Sequence, residues 1–528
     1  MVNSEVVPDG DGLPPPSQPA SSPAAASSAL DQALPFPADA LPEATGSDDQ
    51  LAVSESRRSF LADAMLKYSI QLSDNGHSEE ALPAVEAAVN LLRAMHRDHP
   101  ATHDAKLVEA LRRYSVILRQ NDRKSAALSA IEEALQMCKV QCYLLPTKYD
   151  AELALALLAY SNCLYIVGKN EDALTAVEKS LKMCEALHRA SPAAHQTNFA
   201  LALYQHYICL KKAGKDDAAF AALEESIKMF KAPQQSLTKE DESKLALAQR
   251  HYSHLLNESG RKQDALTAIE EGVEIYRTLH RACPAAHEAK LARALLTCSR
   301  RFEGLRQNND AVTTAEESVK MFKALHQAHP TMCRSELAAA LYQYSNCVRE
   351  AGKNPDALSA IEECVQLRKA LNQAHPGKYD ERLATALYTH SKCLKLVDRR
   401  EDALAALAKS LELHKTLYNT APSLPNQHRL AHTYWCHATQ LAGLGKRTEA
   451  LAAIKEAVHL YGILHQAQPE VHKADYVEAL DELRQLLDTK GSGHGEPSAK
   501  RRRTNDDRSV SEPSSKRRST RLVDSDSL

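Results

Sequence analysis

The stretch Gly168-Lys169-Asn170-Glu171-Asp172-Ala173-Leu174-Thr175-Ala176-Val177-Glu178-Lys179-Ser180 decides the fold, because its pattern returns along most of the chain. Ala173 is one of nine equivalent alanines: Ala81, Ala127, Ala173, Ala219, Ala265, Ala311, Ala357, Ala403 and Ala450. The first eight stand 46 residues apart, and the last step is 47. A fixed period of 20–50 residues marks stacked repeats, each one a supersecondary unit that buries its apolar face only against neighbours. Such arrays present surfaces to partners and seldom carry chemistry.

Each period reads as two helices and a turn. A glycine stands five residues before the Ala in six units: Gly76, Gly168, Gly214, Gly260, Gly352 and Gly445. Glycine tolerates the left-handed conformation that ends a helix. The second helix then carries an apolar stripe, in unit five Ala265, Leu266, Ile269, Val273, Tyr276 and Leu279, at helical spacing. Seven residues past the Ala the residue is always small: Ala88, Ala134, Ser180, Ser226, Gly272, Ser318, Cys364, Ser410, Ala457. Two small positions on one face let a neighbouring helix approach closely. The first helix carries Tyr68, Tyr114, Tyr160, Tyr252 or Tyr344 thirteen residues before the Ala. A proline nineteen residues after the Ala closes the second helix in eight units, from Pro100 to Pro469.

Helix, Gly turn, helix and terminal proline together resemble the tetratricopeptide repeat. The standard unit has 34 residues, and the extra residues here lengthen both helices. The pattern is most similar to the long-helix units of kinesin light chains and of arrays in large signalling ATPases. The resemblance spans residues 54–490 and implies an all-α superhelical solenoid of nine helix-turn-helix units. A further first helix at 472–490, polar on its outside, is expected to cap the array. Unit four, with its early Pro233, and the step between units eight and nine, with Pro425, are expected to bend the array.

The ends read differently. Residues 1–53 are rich in Pro, Ala and Ser, with eight acids and no Lys or Arg through residue 52, and are expected to be disordered. Nothing there has the basic start and apolar core of a signal peptide. Residues 491–528 form a second disordered tail, basic, with nine Lys or Arg against six acids. The formal net charge of −3 sums −8 for residues 1–52, +3 for 491–528 and +2 for the array between, and a near-neutral array makes no general case for nucleic acid. No run approaches 18 consecutive apolar residues, so no membrane partner is expected.

Cys163, Cys209, Cys347 and Cys393 share one place, ten residues before the Ala, and read as small core residues of a reducing compartment. No phosphate-binding glycine loop, nucleophile elbow or His-Glu-x-x-His motif occurs, so neither an enzyme nor a cofactor is expected. His96, His99 and His103 lie close together, but the first and third recur in other units as His188 and His195. The cluster is therefore an overlap of two repeat positions, and no metal site is expected.

Function is expected on the first helices, since in the tetratricopeptide family partner peptides lie along their inner face. Carried over by position, the candidate peptide-binding residues are Asn162, Tyr204, Arg250, His254, Arg300, Tyr342, Asn346, Arg349, Tyr388, Lys392 and Trp435. Aromatics and Arg supply binding energy out of proportion to their number, and Asn can hydrogen-bond both edges of an extended backbone. The reading is a protein–protein interaction scaffold or adaptor for an extended acidic peptide. A purely structural alternative is that Tyr204, Tyr342 and Tyr388 sit between units and the cations are solvated. The functional rivals are a nuclear, nucleic-acid-associated protein anchored by its tail and a regulatory fragment of a signalling assembly.

Lys500, Arg501, Arg502, Arg503 and, after a spacer of twelve residues, Lys516, Arg517 and Arg518 have the arrangement of a bipartite nuclear-import signal. An import receptor is then a second partner, and the chain would divide between nucleus and cytoplasm. Replacing Lys516, Arg517 and Arg518 with Ala should move a fluorescent fusion out of the nucleus. A fusion of the intact chain that stays cytoplasmic with export blocked removes the import reading.

Overall fold

The computed structural model describes residues 47–488, apart from 75–76, 145–148, 233–236 and 331–332. Among the described residues every regular element is a helix, and the helices alternate as the period requires. The pairs are α1 (Ser47–Asp74) with α2 (Ser78–Asp98), α3 (Pro100–Gln120) with α4 (Lys124–Leu144), and α5 (Asp150–Val167) with α6 (Asn170–Ala190). Next come α7 (Pro192–Lys212) with α8 (Asp216–Lys231), α9 (Lys239–Glu258) with α10 (Lys262–Ala282), and α11 (Pro284–Gly304) with α12 (Asn308–Ala328). The last are α13 (Arg334–Glu350) with α14 (Asn354–Ala374), α15 (Asp380–Leu396) with α16 (Arg400–Thr420), and α17 (Leu424–Gly443) with α18 (Arg447–Ala467). A single further helix, α19 (Pro469–Asp488), packs on α18 as the cap. The fold is thus an all-α solenoid of nine helix pairs and a capping helix. It divides into two compact units, one ending at Met183 and one beginning at Cys184.

The nine alanines are the deepest points of the helix pairs, each 0% or 1% exposed. Close approach within a pair is visible seven residues later. Ser180 Oγ donates to the Ala154 carbonyl at 2.7 Å, and Ser226, Ser318 and Ser410 donate at 2.8 Å to the carbonyls of Ala200, Ala292 and Ala384. The Cys364 thiol does the same to Ala338. In unit five the place is Gly272, where an added Cβ would stand 3.1 Å from the Ala246 carbonyl oxygen. Units three and seven add the reverse bond, Ser161 to the Ala173 carbonyl and Ser345 to that of Ala357.

The described turns, those of units two to nine, follow one scheme. In unit three the amide of Lys169 donates back to the Leu164 carbonyl while Gly168 sits at φ 92°, a Schellman closure. Units two, six and eight have no glycine there, yet Asp122, Arg306 and Asp398 adopt φ of 58°, 59° and 62°. The turn geometry therefore overrides residue preference.

One expectation about the helix ends needs correcting. Pro100, Pro192, Pro284 and Pro469 do not close second helices; each is the first residue of the helix that follows. The first position of a helix has no intrahelical acceptor for its N–H, and proline's fixed φ suits it. Helix α1 itself starts at Ser47. Helix α8 has 16 residues where the other second helices have 21, in line with its early proline, although Pro233 lies outside the described residues. Helix α5 is apolar enough over 18 residues to match a membrane span by length and composition. It occupies the ordinary place of a first helix, with Ala154, Ala156, Leu157, Leu158 and Leu164 buried.

The cysteines behave as small core residues. Cys163, Cys209, Cys347 and Cys393 are all buried, and every cysteine is a free thiol. Burial pushes the Cys347 thiol up to about 12, far from reactive.

Two substitutions test this frame. Ser318→Leu should overpack the contact of α12 with α11 and cost about 1–3 kcal/mol. Accelerated hydrogen exchange in α11 and α12, with the distant pairs unchanged, is the expected readout; unchanged protection would mean the contact is loose. Arg306→Gly should relieve the left-handed turn and stabilise by about 0.5–1 kcal/mol. A higher urea midpoint confirms it, and a lower one would show that the Arg306 side chain stabilises the turn more than its backbone strains it.

Candidate functional site

Within the second compact unit, the first helices α9 and α11 bring together a group of cations. Arg301 is only 8% exposed, its Nε donating to Ser253 Oγ and its Nη2 lying 3.0 Å from His254 Nδ1. Arg250, half-buried on α9, places Nη2 3.4 Å from the His251 ring. Burial lowers Arg301 to about 10, with Arg300 acting in the same direction and Glu258 against it. Burial likewise lowers Arg250. His251 falls to about 3, through burial and then Arg250, and His254 falls well below its usual value through burial and the surrounding arginines. At neutral pH both imidazoles are therefore neutral and both guanidiniums charged.

Among the described residues neither Arg250 nor Arg301 has a carboxylate at ion-pair distance. The acid that most affects Arg301, Glu258, lies 3.2 Å from Lys211. Helices α9 and α11 thus hold two partly desolvated positive charges whose hydrogen-bond partners are a hydroxyl and neutral rings. An anion brought to this face would find charged donors with little water between.

A second cluster lies toward the cap. Tyr388 OH is 3.0 Å from His432 Nε2 and 3.4 Å from Cys436 Sγ, and Lys392 stands over the Tyr388 ring at 4.7 Å. Burial works against a Cys436 thiolate, but His432 and Tyr388 beside it bring the thiol down to about 7. Burial likewise opposes charge on His432, but the ionised Cys436 sulfur, with Asp475 adding to it, moves the imidazole up. His432 also lies 3.4 Å from Tyr461 OH and edge-on to Trp435 at 5.8 Å.

The sequence-derived candidates fall into three sets. Arg250 and His254 join the cationic group, with Arg300 exposed beside it. Tyr342, Tyr388 and Trp435 are half-buried and span neighbouring first helices: Thr389 Oγ1 donates to Tyr342 OH at 3.3 Å, and Arg368 covers the Tyr342 ring at 4.7 Å. Asn346 and Arg349 lie half-buried on α13, Arg349 3.6 Å from Glu350, while Asn162 lies in the first compact unit. Tyr204 differs from expectation. It is 5% exposed and stacked on His251 at 5.9 Å, so its ring is core between α7 and α9.

The residues of the import signal, Lys500, Arg501, Arg502, Arg503, Lys516, Arg517 and Arg518, lie outside the described residues. Of the early histidines, His103 meets Glu55 at 2.8 Å and His96 meets Asp104 at 2.8 Å. Sequence reasoning missed Arg301, His251, His432 and Cys436. Arg301 occupies the place where four other units have buried cysteines, and that departure was the available signal.

The sequence description of one family, anaphase-promoting complex subunit 5, matches residues 48–101, 301–375, 403–461 and 465–499. No curated protein matches the chain. Among solved structures, BtubC from P. vanneervenii is 14% identical, covers 48% of this chain and 94% of its own, with a TM-score of 0.37. A putative kinesin light chain from Podosopora anserina is 21% identical over 43% of this chain and 98% of its own, TM-score 0.33. The apo form of RapI is 11% identical over 73% of this chain and 99% of its own, TM-score 0.46. With nine concordant helix pairs, left-handed turns in units two to nine and a capping helix, the described residues have a tetratricopeptide-like repeat fold with long, 46-residue units.

Proposed function

We propose that the chain is a non-catalytic interaction scaffold whose first-helix face takes up an extended acidic segment of a partner protein. The observation that carries this reading is the pair Arg250 and Arg301. Removing a guanidinium from water costs several kcal/mol unless an anion compensates it, and a value near 10 leaves Arg301 charged at neutral pH. The array keeps both charges without a carboxylate of its own at ion-pair distance among the described residues. A carboxylate on a partner completes the pairing and gains charge-assisted hydrogen bonds in a poorly hydrated place.

The half-buried Tyr342, Tyr388 and Trp435 supply aromatic surface along the same series of helices. The likeness to anaphase-promoting complex subunit 5 supports a repeat chain that works inside a larger assembly.

The test pairs binding with stability. Replacing Arg250 and Arg301 together with Met should weaken binding of a fluorescein-labelled Glu-rich peptide by about tenfold or more, and should flatten its dependence on salt. Without peptide the variant's unfolding midpoint should hold or rise, because an uncompensated buried charge has been removed. Unchanged peptide binding overturns the reading. A large fall in stability overturns it as well, since the arginines would then serve the core through Ser253 and His254.

A further inference from the structure

At the junction of α17 and α19, away from the cationic group, three side chains with metal-ligating atoms converge. His428 Nε2 lies 3.2 Å from Asp475 Oδ2, and His472 Nδ1 lies 3.8 Å from the same oxygen. One ligand atom from each residue falls within 4.8 Å of the other two. We propose that His428, His472 and Asp475 form a binding site for a zinc-class divalent cation that ties the capping helix to the last repeat.

The geometry is close to what such an ion needs. Zinc takes nitrogen and carboxylate oxygen at about 2.0–2.2 Å, which sets tetrahedral ligand edges near roughly 3.4 Å. The edges of 3.2 and 3.8 Å bracket that value. The third edge, between the two imidazoles, is within 4.8 Å, and the half-buried His428 is the ligand with room to turn toward it.

The ligands stand on rigid elements. His472 and Asp475 are three apart on α19 and so share one helix face, and His428 meets them from α17. His472 is 4% exposed and the Tyr461 ring, 0% exposed, stands edge-on to His428 at 5.8 Å, so the inner side of the site is closed by packed aromatic surface. His432, one turn along α17, stacks on His428 with ring planes 3° apart and holds it in orientation.

The donor set selects the class of ion. Two imidazoles and one carboxylate suit zinc, cobalt or nickel, and leave a fourth position for water. Calcium and magnesium require oxygen almost throughout and are disfavoured. Bound only when α17 and α19 are docked, the ion would stabilise the end of the array by mass action.

The experiment uses the full chain with zinc and, as a spectroscopic probe, cobalt(II). One equivalent of zinc should bind and raise the unfolding midpoint, magnesium should do neither, and cobalt should give d–d bands without a thiolate charge-transfer band. His472→Gln with Asp475→Asn should lower zinc affinity at least about 100-fold and abolish the shift in midpoint. Cys436→Ser should leave both intact, which separates this site from the nearby thiol. A chain that binds no zinc, a thiolate band with cobalt, or undiminished zinc in the double variant each overturns the proposal. Should the double variant fold poorly, His428→Gln in an otherwise intact cap decides the matter by the same zinc stoichiometry.

Discussion

The structure depends on one contact repeated along the chain, where the second helix of a pair presents a small side chain to the backbone of the first. A serine here reaches across to a carbonyl 26 residues earlier, instead of back to its own helix. That carbonyl already accepts a helical hydrogen bond, and its second lone pair takes the serine. The bond forms only if the helix axes come close, and they come close only if both facing residues are small. Where Ser180, Ser226, Ser318 or Ser410 stands on the second helix, alanine faces it: Ala154, Ala200, Ala292 and Ala384, none more than 1% exposed. Unit two has the larger Val108 on the first helix, and the second helix answers with Ala134. No pair combines two large side chains, and within that limit the chemistry of the contact varies.

Stacking between repeats uses weaker material at constant offsets. Arg277 meets Glu317 at 2.9 Å and Lys323 meets Glu363 at 2.7 Å, each pair 40 residues apart on successive second helices. First helices meet at offsets of 47 and 48, as in Lys290 to Ser243 and Arg301 to Ser253. Half-exposed ion pairs contribute about 0–1 kcal/mol each, so these set register more than stability. Apolar side chains such as Tyr276, Phe322 and Leu295, all within 2% of full burial, supply the larger part of the stacking.

The frame was readable because periodicity averages over nine copies. The alanine, the small residue after it and the turn each recur often enough to be recognised without coordinates. Helix ends were less readable: a proline between two helices can close one or open the next, and only backbone geometry separates the two. The left-handed Asp122, Arg306 and Asp398 were likewise hidden, since a residue outside the repeat's pattern looks like a loss of the turn when it is a strained version of it. The candidate peptide-binding positions could be named only by carrying positions over from a family, and that transfer cannot tell exposed from enclosed rings. Tyr204 and Tyr342 hold the same repeat position, yet one is enclosed by Tyr207 and His251 while the other sits half-open beneath Arg368.

Arg301, His251 and Cys436 stand where a unit departs from the repeat. Arg301 fills a slot held elsewhere by cysteine, while His251 and Cys436 share a slot that is Gln205, Thr297, Gln343 and Thr389 in other units. In a single-core domain a buried arginine without a carboxylate would weaken the whole molecule. In a solenoid each unit contacts only its neighbours, so the cost of such a departure stays local. Surrounding pairs that keep the small-residue contact can carry a strained member. This separates the two demands on the sequence: the second helices and their small residues maintain the array, and the first helices are left to vary. Departures on the first helices, read against the period, are thus a physically grounded guide to function in such a chain.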